Sequence, residues 1–142
     1  MALNTDPIYS GKPDIQWNTT NITTANTTTD GTSGTTYDIF TANATNGGML
    51  KNAKIVAKGT NTATVMRFWV NNGSSSGTAA NNTLIGEITC PATTVSQVAA
   101  LAPLTFPINT ALKPGYKIFV TIGTTVAAGF SVTIDGGDYT IS

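Results

Sequence analysis

Asp135 and Asp138 are the closest pair among seven acidic side chains, and they bracket Gly136-Gly137. Two carboxylates at that spacing on a tight turn suit a calcium ion or an acid/base pair. A calcium site, however, gathers about six to eight oxygens from a defined loop, and Asp and Gly are the ordinary residues of an exposed turn. The segment is therefore read as a turn. Glycoside hydrolysis would need two carboxylates across one bond, and the candidates are Asp30, Asp38, Glu87, Asp135 and Asp138. Nothing in their spacing pairs them.

The chain has no histidine. That removes Ser-His-Asp and Cys-His nucleophile systems and any imidazole metal ligand. Cys90 is the single cysteine and is followed by Pro91, so it makes no internal disulfide and sits at a strand end. No cation or helix N-terminus is in view to stabilise its thiolate, and it is read as a small buried hydrophobe. Glu87 and Arg67, the sole glutamate and the sole arginine, can pair across strands. No catalytic, cofactor-binding or metal-ligating residue is expected, and the chain is read as a non-enzyme.

Charge narrows the partners further. The net charge is zero and 10% of the 142 residues are charged, against about 25% in an average domain. Nucleic acid demands a basic footprint, so it is not an expected partner. Lys51, Lys54 and Lys58 form the one basic cluster; alternation puts Lys54 and Lys58 on one strand face and Lys51 on the other, a solvated sheet surface. No stretch reaches the ~18 apolar residues of a membrane span. The polar opening Met1-Ala2-Leu3-Asn4-Thr5-Asp6 lacks the features of a signal peptide, so no membrane or secretory address is expected. Asn-x-Ser/Thr triplets at Asn18, Asn21, Asn26, Asn43, Asn72 and Asn81 follow from a composition of 28 threonines and 13 asparagines.

Threonine also says what must position these groups. It is β-branched and stiff, suits a half-exposed pleated surface and keeps it wettable without charge. A chain of this length forms one domain that buries roughly 68–70% of its unfolded surface. Strands are expected at Asp14–Trp17, Tyr37–Thr41, Leu50–Lys58, Thr64–Val70 and Thr83–Cys90, the last bulged at Gly86. Further strands are expected at Pro103–Ile108 (short, at an edge because of its prolines), Tyr116–Ile122, Phe130–Ile134 and Asp138–Ile141. Asn46-Gly47-Gly48 and Lys113-Pro114-Gly115 are turns. Asn71–Asn82 is a surface loop, and Thr94–Ala102 is ambiguous. Eight or nine strands without crossover helices imply an all-β antiparallel β-sandwich of jelly-roll type, with a closed barrel as the alternative.

Residues 1–14 do not fit the alternation, because Pro7 and Pro13 interrupt any ladder, and they are read as an extended N-terminal arm on a single sandwich domain of residues 15–142. Pro7, Ile8, Tyr9, Pro13, Ile15 and Trp17 are the expected partner-binding residues, since apolar anchors on an arm need a surface, either their own sandwich or a neighbouring subunit. Trp69, in the most apolar run, is expected in the core. Trp17, Tyr9, Tyr37, Tyr116 and Tyr139 are the other aromatics that can stack sugars.

Three stretches carry a resemblance. They are Pro7-Ile8-Tyr9 through Pro13-Asp14-Ile15-Gln16-Trp17, the turn Thr41-Ala42-Asn43-Ala44-Thr45-Asn46-Gly47-Gly48, and Trp69-Val70-Asn71-Asn72-Gly73 followed by Thr78-Ala79-Ala80-Asn81-Asn82. Together they resemble a family of small structural proteins of tailed bacteriophages, over almost the whole chain. The resemblance implies a capsid decoration, or cement, protein: a homotrimer of β-sandwich subunits on the outer capsid surface, with arms reaching neighbours. Its partners would be the major capsid protein and copies of itself, and it would be made in the host cytoplasm. The competing expectation is a tail, baseplate or fibre component binding host glycans, which copy number per virion separates from the first.

Overall fold

The computed structural model describes residues 11–139. Its strands are β1 (Lys12–Trp17), β2 (Tyr37–Thr41), β3 (Gly48–Ala57), β4 (Thr64–Asn71), β5 (Asn82–Cys90), β6 (Leu104–Leu112), β7 (Lys117–Ile122) and β8 (Phe130–Asp138), with a single 3-10 turn at Ala79–Asn81. They form two antiparallel four-stranded sheets, ordered β1-β8-β3-β6 and β2-β7-β4-β5. Each sheet keeps two edges, so the layers make a β-sandwich and not a closed barrel.

Alternation builds the core. Val132 and Ile134 of β8, Ala53 and Ile55 of β3, Met66 and Phe68 of β4, and Ile118, Val120 and Ile122 of β7 are buried in one cluster between the sheets. Phe68 stacks on Phe106 of β6 with ring centroids 4.3 Å apart. Cys90 belongs to the same cluster, as expected of a small hydrophobe, and burial pushes its thiol up to about 11.

Trp69 is buried, yet on the other side of its sheet. It stacks on Phe119 with centroids 6.0 Å apart and donates from Nε1 to Thr121 Oγ1 at 3.1 Å. The roof over this second apolar layer is the long connection 18–36, whose Gly31 (φ +76) would place a Cβ 3.0 Å from Phe119 and 3.3 Å from Trp69. Short-range polar bonds shape that roof. The Thr32 hydroxyl and backbone N–H both reach Asp30 Oδ1 and hold its carboxyl below the usual range. Burial works to raise the Tyr37 phenol, but the backbone N–H groups of Thr23 and Thr24 outweigh it and leave the phenol lowered.

Four expectations need correction. Asp135-Gly136-Gly137-Asp138 is not a turn; it is the end of β8, paired with β1 on one side and β3 on the other. Gly136 is there because the backbones run close: a Cβ on it would collide with the Met49 carbonyl oxygen. Asp138 is therefore the last residue of β8, and Thr140 and Ile141 of the strand expected at Asp138–Ile141 lie outside the described residues. Second, β6 is an edge strand as expected, but it runs nine residues to Leu112. An edge ladder bonds on one side only and tolerates Pro107, and a register shift with Asn109 at φ 46 bends the strand onward.

Third, Lys51 does not face away from Lys54. β3 carries a bulge between Leu50 and Ala53, so Lys51 and Asn52 are both exposed while Leu50, Ala53 and Ile55 all stay in the core. Fourth, the ladder does not wait for residue 14. Lys12, Pro13 and Asp14 already pair with Asp138, Gly137 and Gly136, and Pro13 is accommodated because β1 is an edge.

Candidate functional site

The phase of β1 decides which of its side chains meet solvent. Gln16 turns toward the second sheet, where its amide mimics a strand: Nε2 donates to the Thr41 carbonyl and Oε1 accepts the Thr41 N–H, each at 2.9 Å. The same Nε2 donates to Asp14 Oδ2 at 2.9 Å. With Asp14 and Gln16 committed to that side, a period of two puts Pro13, Ile15 and Trp17 on the outer face. Ile15 is 58% exposed and Trp17 60%, values far from the interior positions that residues of this size normally take.

Register extends this pair into a surface. Trp17 lies opposite Thr133, Thr133 opposite Lys54, and Lys54 opposite Thr105, which makes one row across all four strands. Ile15 lies opposite Asp135 in the next row. Asp135 Oδ1 accepts the Asn52 N–H at 3.3 Å. Between these rows runs a groove of about 460 Å³ lined by Ile15, Asn52, Lys54, Thr105, Thr133 and Asp135. Two apolar anchors, one cation, one anion and a field of threonines make a contact surface that is amphipathic and close to neutral.

Among the described residues the other carboxylates are dispersed over the molecule. Glu87 accepts from Arg67 Nε at 3.2 Å, as the sequence suggested, and Asp38 pairs with Lys117 at 3.1 Å. Asp30 braces its own loop, and Asp138 is 9% exposed beside the β1 ladder. Among the described residues no group of three His, Cys, Asp or Glu side chains lies together in a metal-binding arrangement.

Of the six residues expected to bind a partner, Pro13, Ile15 and Trp17 share the outer face of β1, whereas Pro7, Ile8 and Tyr9 lie outside the described residues. Reading by sequence missed Lys54, Thr105, Thr133 and Asp135 as their neighbours. Only strand order brings these together, and Asp135 was assigned to a turn. It also missed the exposed apolar residues Leu84, Val95 and Val98. Comparison with family models, curated proteins and solved structures finds no match to this chain.

Proposed function

We propose that this chain is a non-enzymatic virion structural protein, a capsid decoration or cement protein that sits on the outer capsid surface and stabilises it by binding major capsid subunits, with copies of itself associated as a homotrimer. The observation that carries this reading is the Ile15–Trp17 face. Two large apolar side chains stand in water on a strand whose phase is locked by Gln16, and such exposure is explained by a covering partner. Burying a side chain such as Ile15 contributes roughly 2 kcal/mol, and a tryptophan anchor more. Zero net charge supports the same reading, because many copies can crowd on a shell without long-range repulsion.

The finer fold belongs to this proposal. Sheets ordered β1-β8-β3-β6 and β2-β7-β4-β5 are what a jelly roll of two Greek keys produces, and that order supports the jelly-roll assignment. In this proposal the N-terminal segment with Pro7, Ile8 and Tyr9, which lies outside the described residues, serves as the arm. A second reading, a tail or fibre component that holds host glycans, is favoured by one feature: a depression of about 310 Å³ whose lining includes Asn18, Thr35, Thr36, Asp38, Ser76 and Lys117.

The test uses phage shells lacking this protein. Wild type is expected to bind them in hundreds of copies per particle, and the double variant Ile15→Ser, Trp17→Ala to bind at least about tenfold more weakly while unfolding at the same temperature. Undiminished binding of the variant overturns the assignment of the face. A handful of copies located at the tail overturns the decoration role in favour of the glycan reading.

A further inference from the structure

One end of the sandwich is incompletely filled. Here β3 and β5 finish and β6 and β8 begin, leaving a cavity of about 290 Å³ floored by Ile55, Cys90 and Phe130 and walled by Ala57, Leu101 and Leu104. No lining residue is charged. The connection that should plug it, residues 91–103, offers mostly small residues inward and turns its two valines away: Val95 is 52% exposed and Val98 97%.

The near half of that connection is fastened. Asn61 and Thr93 exchange backbone hydrogen bonds at 3.2 and 3.0 Å, Thr93 Oγ1 donates to the Gly59 carbonyl at 2.7 Å, and the Val95 N–H reaches Thr60 Oγ1 at 3.0 Å. Asn61 is itself fixed, its amide bonded to Ala128 and Gly129. Beyond Val95 the character changes. Among the described residues, the stretch 96–103 makes only the local bond from the Val98 N–H to Ser96 Oγ, at 3.2 Å. A segment with few bonds to the body opens at low free-energy cost.

We infer that this end of the sandwich is a binding site for an uncharged, apolar small molecule, up to about the size of a two-ring aromatic, which enters beneath the 96–103 segment. The size limit follows from comparison with an apolar cavity of about 150 Å³, which stays dry and accepts benzene; this one has nearly twice that volume. The charge selection follows from the lining. A carboxylate or ammonium placed among Ile55, Cys90 and Phe130 would lose its hydration with no charged partner to replace it. The aromatic preference follows from Phe130, whose ring forms part of the floor. The site is a half-open cleft at the loop end of the sandwich, while the Ile15–Trp17 surface lies on the outer face of one sheet, so the two inferences stand independently.

Indole and indole-3-carboxylate are the probes, titrated into the full-length protein and followed by calorimetry and by backbone amide NMR. Indole is expected to bind at one site, to shift amides in 91–103 and at the adjoining ends of β3, β5, β6 and β8, and to bind at least about tenfold more tightly than the carboxylate. Ala100→Trp, which fills the cavity from the loop and leaves the strands untouched, is expected to weaken indole at least about tenfold with its amide spectrum otherwise preserved. No saturable binding of indole to the wild-type protein overturns the inference, whatever the variant does. So does equal affinity for the charged probe, or amide shifts that map elsewhere.

Discussion

At the scale of single residues, Cys90 is a reactive side chain spent on structure. It is 1% exposed, and removal from water raises its thiol to about 11. In the unfolded chain the thiol ionises near its ordinary value, so between roughly pH 9 and 11 the unfolded state has released a proton that the native state still holds. Stability then falls as pH rises, and the loss attributable to this one group approaches roughly 2–3 kcal/mol at the top of that window. Comparing wild type with a variant that lacks the thiol isolates the contribution of this one group. Urea unfolding of wild type and Cys90→Ala at pH 8 and pH 10.5 is expected to show wild type losing the greater stability. Equal losses would place the thiol in contact with water. The same burial makes Cys90 slow toward alkylating reagents at neutral pH, where little thiolate exists.

At the scale of elements, the strands that were legible are those whose side chains alternate without help. Tyr37–Thr41 and the start and faces of Thr64–Val70 could be read directly, and so could the bulge at Gly86, where β5 changes register against Phe68 and Trp69. The exposed face was half legible: Pro13, Ile15 and Trp17 are spaced by two, but their partners sit more than thirty residues away and meet them only through pairing. What could not be read is where glycine or proline serves close packing of strands instead of a turn, since the local chemistry is the same in both cases. β8 shows this best. Gly136 permits the β1-β8-β3 backbones to pass within a distance that excludes any side chain, with the Met49 carbonyl oxygen in collision with a Cβ there and Leu50 Cδ2 2.9 Å from it. Because the nearest obstacle is backbone, Gly136→Ala is expected to cost about 2 kcal/mol or more in chemical denaturation. Alanine in a free turn would be nearly neutral or slightly stabilising, so a null result would restore the turn reading.

At the scale of the whole molecule, the sandwich begins earlier in the chain than composition alone discloses. Residues 1–14 read as one arm, yet β1 already pairs with β8 at Lys12, and Gln16 ties that strand across to Thr41 of the opposite sheet. Pairing with the sandwich is therefore already under way at Lys12, inside the segment that composition assigns to the arm. Removing residues 1–10 leaves the complete β1–β8 register from Lys12↔Asp138 to Trp17↔Thr133 in place. Removing residues 1–17 strips an entire strand, exposes the β8 ladder as a new edge and deletes the link between sheets. In a domain of this size each 1 kcal/mol moves the melting temperature by roughly 4 °C. Calorimetric melting is thus expected to change by no more than about 2 °C for the shorter deletion and to fall by about 10 °C or more for the longer one. Equal falls for both would mean that the first ten residues hold the sandwich itself together, and the arm would then have no chain to spare for a neighbour.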